Sequence, residues 1–127
     1  MVNVRKVTPV LVVDRIEPCL SFWEGQLGYA RVAEVPHEDA LGFVILVREG
    51  TEMMLQTKAS LAADMPAVAA RNPEVVLYAE VASVDDAIAS TKGATVILEP
   101  RTTFYGAKEI GILDPSGQVL LLAERHG

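Results

Sequence analysis

Two stretches of the chain show the same pattern, in which apolar runs are interrupted by a tight turn. Residues 109–124 are typical of two strands joined at residues 114–117, Asp-Pro-Ser-Gly, where proline fixes φ and glycine accepts the left-handed conformation. Residues 43–57 repeat this pattern around a turn at residues 48–50. The pattern predicts two β-hairpins. The apolar run 118–123 further predicts a strand covered on both faces.

A helix is predicted before the first hairpin. Asp14 followed by Glu17 has the capping-box spacing of a helix start. Apolar side chains then recur at helical spacing, namely Ile16, Leu20, Trp23 and Leu27. Gly28 is typical of the position just past a helix end. The helix is therefore expected to run from Asp14 to Gly28.

The remaining pattern indicates that one module occurs twice. In the first half, strands are predicted at 7–13, 29–35, 41–47 and 51–57, with an irregular or edge start at Pro9. In the second half, a strand at 74–81, a helix capped by Ser83, a strand at 94–98 and a loop at 100–106 precede the last hairpin. We expect one domain, 1–127, made of a first βαβββ module at 5–57, a linker at 58–72 with one short helix, and a second module at 73–125.

Composition narrows the class of protein. The 127 residues carry a net charge of −6, which argues against a nucleic-acid partner because such a partner requires a basic face. No apolar run approaches the roughly 18–20 residues of a membrane span, so no membrane partner is expected. The single cysteine, Cys19, suits a reducing compartment, and a cytoplasmic location is expected.

Few side chains offer catalytic chemistry. His37 falls in a predicted polar turn with two acidic neighbours, and His126 is next to the C-terminal residue. Cys19 has no cationic neighbour in the sequence that would activate its thiol. With two peripheral histidines, no serine has a plausible His–Asp set, so no catalytic residue is assigned.

Two segments, SFWEGQLGY at 21–29 and LDPSGQVLLLAE at 113–124, give the chain a resemblance to a known family. With the repeated βαβββ order, the chain resembles the vicinal oxygen chelate superfamily. That superfamily includes glyoxalase I, extradiol dioxygenases, fosfomycin-resistance enzymes and metal-free bleomycin-resistance proteins. The resemblance implies an α+β fold in which two βαβββ modules form concave mixed sheets. It also implies a homodimer.

The resemblance further implies four metal-ligand positions. One lies seven residues before the capping residue of each predicted helix. Another lies four residues after the glycine of each hairpin. In this sequence they hold Val7, Met54, Val76 and Leu121. Valine and leucine have no donor atom, and a thioether is a poor ligand for Zn²⁺, Fe²⁺ or Mn²⁺. The chain therefore resembles the metal-free, bleomycin-resistance-like branch, and neither a metal nor another cofactor is expected.

Strand parity around those four positions predicts a ligand-binding cleft, because residues two apart point to the same side of a strand. The predicted ligand-binding residues are Leu11, Phe43, Met54, Gln56, Val76, Tyr78, Glu80, Phe104, Tyr105 and Leu121. The polar members Gln56, Tyr78 and Glu80 would orient the ligand. The same residues could instead fill a core, which would leave those polar groups unpaired.

The resulting functional expectation is metal-free binding of a small aromatic or amphipathic molecule in an apolar cleft. Such a protein would resemble the antibiotic-resistance proteins of the superfamily, and the apolar ligand positions argue against an enzyme. One alternative is a metal-dependent lyase or dioxygenase that uses other ligands. A second alternative is a dimeric scaffold without catalysis.

Overall fold

The computed structural model describes residues 3, 6–73, 75–103 and 106–125. Within this part of the chain, two compact units form. The first contains the residues up to Glu17 together with Gly28–Pro73. The second contains Pro18–Leu27 together with the residues beyond Pro73. The helical residues 18–27 of the first repeat therefore pack within the second unit.

The elements follow the predicted order. In the first repeat they are β1 (Val10–Val13), α1 (Glu17–Leu20) with a π-helical segment (Ser21–Gln26), β2 (Ala30–His37), β3 (Ala40–Arg48) and β4 (Thr51–Thr57). Helices α2 (Lys58–Asp64) and α3 (Pro66–Ala69) follow. The second repeat contains β5 (Val76–Glu80), α4 (Val84–Ser90), β6 (Val96–Thr102), β7 (Ala107–Leu113) and β8 (Val119–Arg125). The predicted α+β class and the repeated βαβββ order are confirmed.

Each unit contains one four-stranded mixed sheet, and the two sheets have the same topology. The orders are β1-β4-β3-β2 and β5-β8-β7-β6. The first strand of each repeat runs parallel to the last, and the other pairs are antiparallel. Both predicted hairpins are present, as β3–β4 and β7–β8. Gly50 and Gly117 have the positive φ values that their turns require.

The start of the first helix differs from the prediction. Helix α1 begins at Glu17, with Pro18 in its first turn, where the missing proline N–H costs little. Asp14 lies before the helix and forms an ion pair with Lys58 at 3.0 Å. The second predicted cap is confirmed, because the Ser83 hydroxyl accepts a hydrogen bond from the Asp86 N–H.

Two strands extend further than predicted, because each continues through a proline. Pro36 lies near the end of β2 and Pro100 lies within β6, although both were predicted to be in loops. Both strands are sheet edges with register shifts close to these prolines, so the missing N–H interrupts no central ladder. Pro9 precedes β1, which begins at Val10 and is also an edge strand.

The core consists of one face of each sheet. In the first unit the buried face includes Leu11, Val13, Val44, Leu46, Met53 and Leu55. In the second unit it includes Ile110, Ile112, Leu120 and Leu122. Helix α4 contacts β7 and β8, and its Val84 is fully buried. On the other face of β8, Val119 and Leu121 are half-buried and Ala123 is buried, so only part of this strand is covered on both faces, as the apolar run had suggested for all of it. In the described residues, no helix is long and apolar enough to cross a membrane.

Candidate functional site

The first sheet has a half-exposed apolar face, which we call the first open face. Its members are identified by register, since residues paired across strands point to the same side. They are Val10 and Val12 of β1, Phe43, Ile45 and Val47 of β3, and Glu52, Met54 and Gln56 of β4. Met54 and Phe43, two predicted ligand-binding residues, therefore share this face and are partly accessible. Apolar surface of this kind is a feature of small-molecule sites.

Two predictions for the first sheet need correction. Leu11 pairs with Leu55 and is 0% exposed, so its side chain lies in the core on the opposite face from Met54. The parity count failed because it assumed a regular strand from Val7, whereas the strand begins at Val10. Gln56 lies on the first open face, but its amide donates a hydrogen bond to the Ser60 hydroxyl at 3.2 Å. Its polar group is therefore engaged at the start of α2.

The second sheet has a corresponding face, which we call the second open face. Its exposed or half-buried members are Val76, Tyr78 and Glu80 of β5 and Val119 and Leu121 of β8, whereas Ala123 of β8 and Glu109 and Gly111 of β7 share the face but are buried. Tyr78 pairs directly with Leu121 and is 44% exposed. The register thus brings together four of the predicted site residues, Val76, Tyr78, Glu80 and Leu121. The predicted residues Phe104 and Tyr105 lie outside the described residues.

Two glutamates, Glu80 and Glu109, lie on either side of Ala123 at one end of the second open face. Ala123 pairs with Glu80 on one side and with Glu109 on the other. Glu109 is 1% exposed and accepts hydrogen bonds from Arg101 at 2.7 and 2.8 Å, while Glu80 accepts one from Arg125 at 3.3 Å. A buried carboxylate of this kind is expected to have a cationic partner. The sequence analysis missed this pair, although an acidic residue within the largely apolar β7 was a usable signal.

A second carboxylate, that of Glu17, forms a long-range hydrogen bond within the first unit. Oε2 of Glu17, in the first turn of α1, accepts a hydrogen bond from the Leu41 N–H at 2.8 Å. This bond and one from the residue's own backbone N–H hold the pKa of the Glu17 carboxyl below its ordinary value of 4.5. Arg15 and Arg31 contribute smaller effects in the same direction, while burial raises the pKa.

Close backbone approach places His37 near a hydroxyl. A methyl group on Gly42 would lie 2.5 Å from His37 Cβ and 3.2 Å from Ser60 Oγ. His37 is half-buried at the end of β2 and not in the solvated turn that was predicted. The Ser60 hydroxyl accepts a hydrogen bond from Gln56. The close approach of His37, Gly42 and Ser60 therefore reflects the packing of the β2–β3 hairpin on α2.

The residues at the four implied metal positions do not fit a metal ion. Val7 is 84% exposed and precedes β1, while Met54 lies on the first open face. Val76 and Leu121 lie on the second open face. Three of these side chains have no donor atom and the fourth offers a thioether, which suits none of the usual divalent ions. Among the described residues, no group of three His, Cys, Asp or Glu side chains could hold a metal ion.

An open cleft of about 480 Å³ lies within the second unit, and we call it the turn cleft. Its walls come from the segment after α4 (residues 92–95), from the β7–β8 turn (residues 113–115 and Gly117), and from Phe22 and Gln26 of the π-helical segment. None of the described residues predicted to bind a ligand lines it.

Several solved structures are similar to this chain. A glyoxalase/bleomycin resistance protein/dioxygenase from Nocardioides is 20% identical with a TM-score of 0.74, and the match covers 98% of this chain and 85% of that one. A member of the same superfamily from Sphaerobacter thermophilus is 21% identical with a TM-score of 0.74, covering 96% and 98%. A glyoxalase-related enzyme from Fulvimarina pelagi is 14% identical with a TM-score of 0.70, covering 96% and 89%. No protein-family model and no curated protein matches the sequence.

These matches support the resemblance found in the sequence. They extend over nearly the whole chain, so both repeats contribute to the likeness. At such identity the likeness concerns the fold, and the reaction or ligand of a neighbour does not transfer with it. The chain has the fold of the glyoxalase/bleomycin resistance protein/dioxygenase superfamily.

Proposed function

We propose that this chain binds a small aromatic or amphipathic molecule on the open faces of its sheets, without a metal ion. One observation carries the proposal: the four positions at which the resemblance implies metal ligands hold Val7, Met54, Val76 and Leu121 in this chain. Three of these side chains lie on the half-exposed open faces. Surface that would hold a metal ion in an enzyme is therefore suited to apolar burial.

The second open face offers the better-defined contacts. Tyr78 presents an accessible ring beside Leu121, and Glu80 lies two residues further along β5. The ring supplies apolar area and a hydroxyl, and the exposed Glu80 carboxylate, which is paired with Arg125 at 3.3 Å, can accept a further hydrogen bond from a ligand. In the first unit, Met54 and Phe43 supply apolar contact, and Gln56 holds α2 instead of orienting a ligand.

We further propose that the chain acts as a homodimer. Val32 and Val35 of the edge strand β2 are exposed, as are Val96 and Ile97 of the edge strand β6. Two exposed apolar pairs on edge strands form surface that a second copy would cover.

The test begins with elemental analysis of the purified protein, before and after incubation with Zn²⁺, Ni²⁺, Mn²⁺ and Fe²⁺ followed by dialysis. We expect no stoichiometric metal. Thermal-shift screening with neutral and cationic aromatic compounds should then yield ligands, and Tyr78→Ala should weaken their binding about tenfold through lost ring contact. Val68→Ala, which alters an exposed side chain of α3, is the matched control and should bind normally.

Each outcome assigns a function. One retained ion per chain would replace the proposal with a metal-dependent lyase or dioxygenase that uses other ligands. Absence of both metal and ligand binding, in a protein that still dimerises, would favour the non-catalytic scaffold. Equal loss of binding in Tyr78→Ala and Val68→Ala would remove the second open face as the site.

A further inference from the structure

We propose that the turn cleft is a separate site, which binds a small carboxylate with an apolar body. The cleft's volume of about 480 Å³ falls within the range of pockets that bind small molecules. It lies at the β7–β8 turn, and Val76, Tyr78, Glu80 and Leu121 are not among its lining residues. This proposal does not depend on binding at the open faces.

The charges around the cleft select an anion. Lys92 lines the cleft, and its ammonium group makes no ion pair with any residue that the structure describes. The carboxylate of Asp114 also lines the cleft, but it is buried and already accepts hydrogen bonds from four donors. Because these donors occupy the Asp114 oxygens, a cationic ligand would gain little there. A ligand carboxylate, in contrast, would form a charge-assisted hydrogen bond with the Lys92 ammonium group.

The remaining lining groups suit a compact apolar body with one polar end. Leu113, Pro115 and Phe22 contribute apolar side chains to the lining, and Thr95, on the same segment as Lys92, carries a hydroxyl that can donate a hydrogen bond. Gly93 and Gly117, which also line the cleft, have open space where a Cβ would project. These two positions therefore leave the cleft accessible, and a one-ring carboxylate fits the combination of groups.

The test uses three one-ring probes that differ in charge: benzoate, benzamide and benzylamine. Each is titrated into ¹⁵N-labelled full-length protein, and amide shifts are followed by NMR. We expect saturable shifts with benzoate, concentrated at residues 92–95 and 113–117. Benzamide should bind about tenfold more weakly because it lacks the charge, and benzylamine should cause no saturable shift in these segments.

Variants link the binding to one side chain. Lys92→Gln should weaken benzoate binding about tenfold, since it replaces the ammonium group with a neutral amide. Lys108→Gln makes the same charge change in the same unit, at a lysine that is paired with Asp85, and should leave binding unchanged. Thr95→Val should weaken it by a smaller factor.

Four results would overturn the proposal. Three of them are the absence of saturable benzoate shifts up to tens of millimolar, equal binding of benzylamine, and equal effects of Lys92→Gln and Lys108→Gln. Shifts that map to β5 and β8 instead would assign benzoate to the second open face. That last outcome would support the proposed function while rejecting the turn cleft, so the two proposals fail separately.

Discussion

At the scale of single residues, Asp114 accepts four hydrogen bonds from two separate segments of the second unit. Its Oδ1 accepts hydrogen bonds from the Ser116 N–H, the Ser116 hydroxyl and the Gln118 N–H, at 2.7 to 3.0 Å. Its Oδ2 accepts one from Trp23 Nε1 at 3.2 Å. One buried carboxylate therefore closes the β7–β8 turn and fixes the π-helical segment within the unit.

Replacing Asp114 with alanine should lower the free energy of unfolding by about 2–4 kcal/mol, because several donors lose their acceptor at a buried position. Urea unfolding followed by Trp23 fluorescence measures this loss and reports on the same contact. Ser116→Ala removes one of these hydrogen bonds and should cost about 1 kcal/mol. If the two variants were equally stable, Asp114 would not be the organising acceptor of the turn.

Local chemistry could be predicted from the sequence, and contacts between distant residues could not. The cap at Ser83 and the glycines of both hairpins follow from neighbouring residues, and these predictions are confirmed. The bond between Trp23 and Asp114 joins residues 91 positions apart, so no local pattern indicates it. Leu11 was placed on the wrong face because strand parity depends on where the strand begins, and that depends on tertiary packing.

At the scale of elements, the Glu17 carboxylate holds the start of β3 by accepting a hydrogen bond from the Leu41 N–H. Because the folded protein lowers the pKa of this carboxyl, its ionised form contributes stability above its ordinary pKa of 4.5. That contribution is lost as the pH falls through the lower, folded-state pKa.

Glu17→Gln should therefore be less stable than wild type at pH 7, and the difference should shrink below pH 4.5. Urea unfolding at several pH values measures the difference. Glu49→Gln, at the exposed β3–β4 turn, is the control and should show a smaller dependence on pH. A Glu17→Gln deficit that stayed constant down to acidic pH would mean that packing, and not the charge, stabilises this junction.

Strand β7 requires a glycine at position 111, where side chains of both neighbouring strands pack close to its backbone. A Cβ on Gly111 would lie 2.8 Å from Leu98 Cβ on β6 and 3.2 Å from Leu121 on β8. Because Leu98 Cβ is attached directly to the backbone, the strands would have to move apart. Gly111→Ala should therefore cost about 1–3 kcal/mol.

Gly25 offers a matched control for Gly111. Its Cβ would meet nothing within 4 Å and its φ is not positive, so Gly25→Ala should be neutral or slightly stabilising in the π-helical segment. Thermal unfolding of both variants compares them directly. Equal melting temperatures for the two would contradict the close packing around Gly111.

At the scale of the whole molecule, the duplicated βαβββ order could be predicted because each module carries its own apolar pattern and its own hairpin turn. Which chain segments make up each of the two units could not be predicted. Residues 18–27 follow the first strand in sequence but pack within the second unit, where Trp23 binds Asp114. An apolar helical stripe indicates that a helix is buried, and it does not specify the sheet that the helix covers.

The proposed homodimer is testable on the edge strand β2. Val32→Lys places a charge on this exposed apolar strand and should shift the chain to monomer if a second copy covers it. Val68→Lys adds the same charge at an exposed valine of α3 and should leave the dimer intact. Sedimentation velocity at several protein concentrations distinguishes the two states. A wild-type chain that stayed monomeric at all concentrations would reject the dimer. A dimer that survived Val32→Lys would place its interface elsewhere, with the exposed pair Val96 and Ile97 of β6 as the next surface to alter.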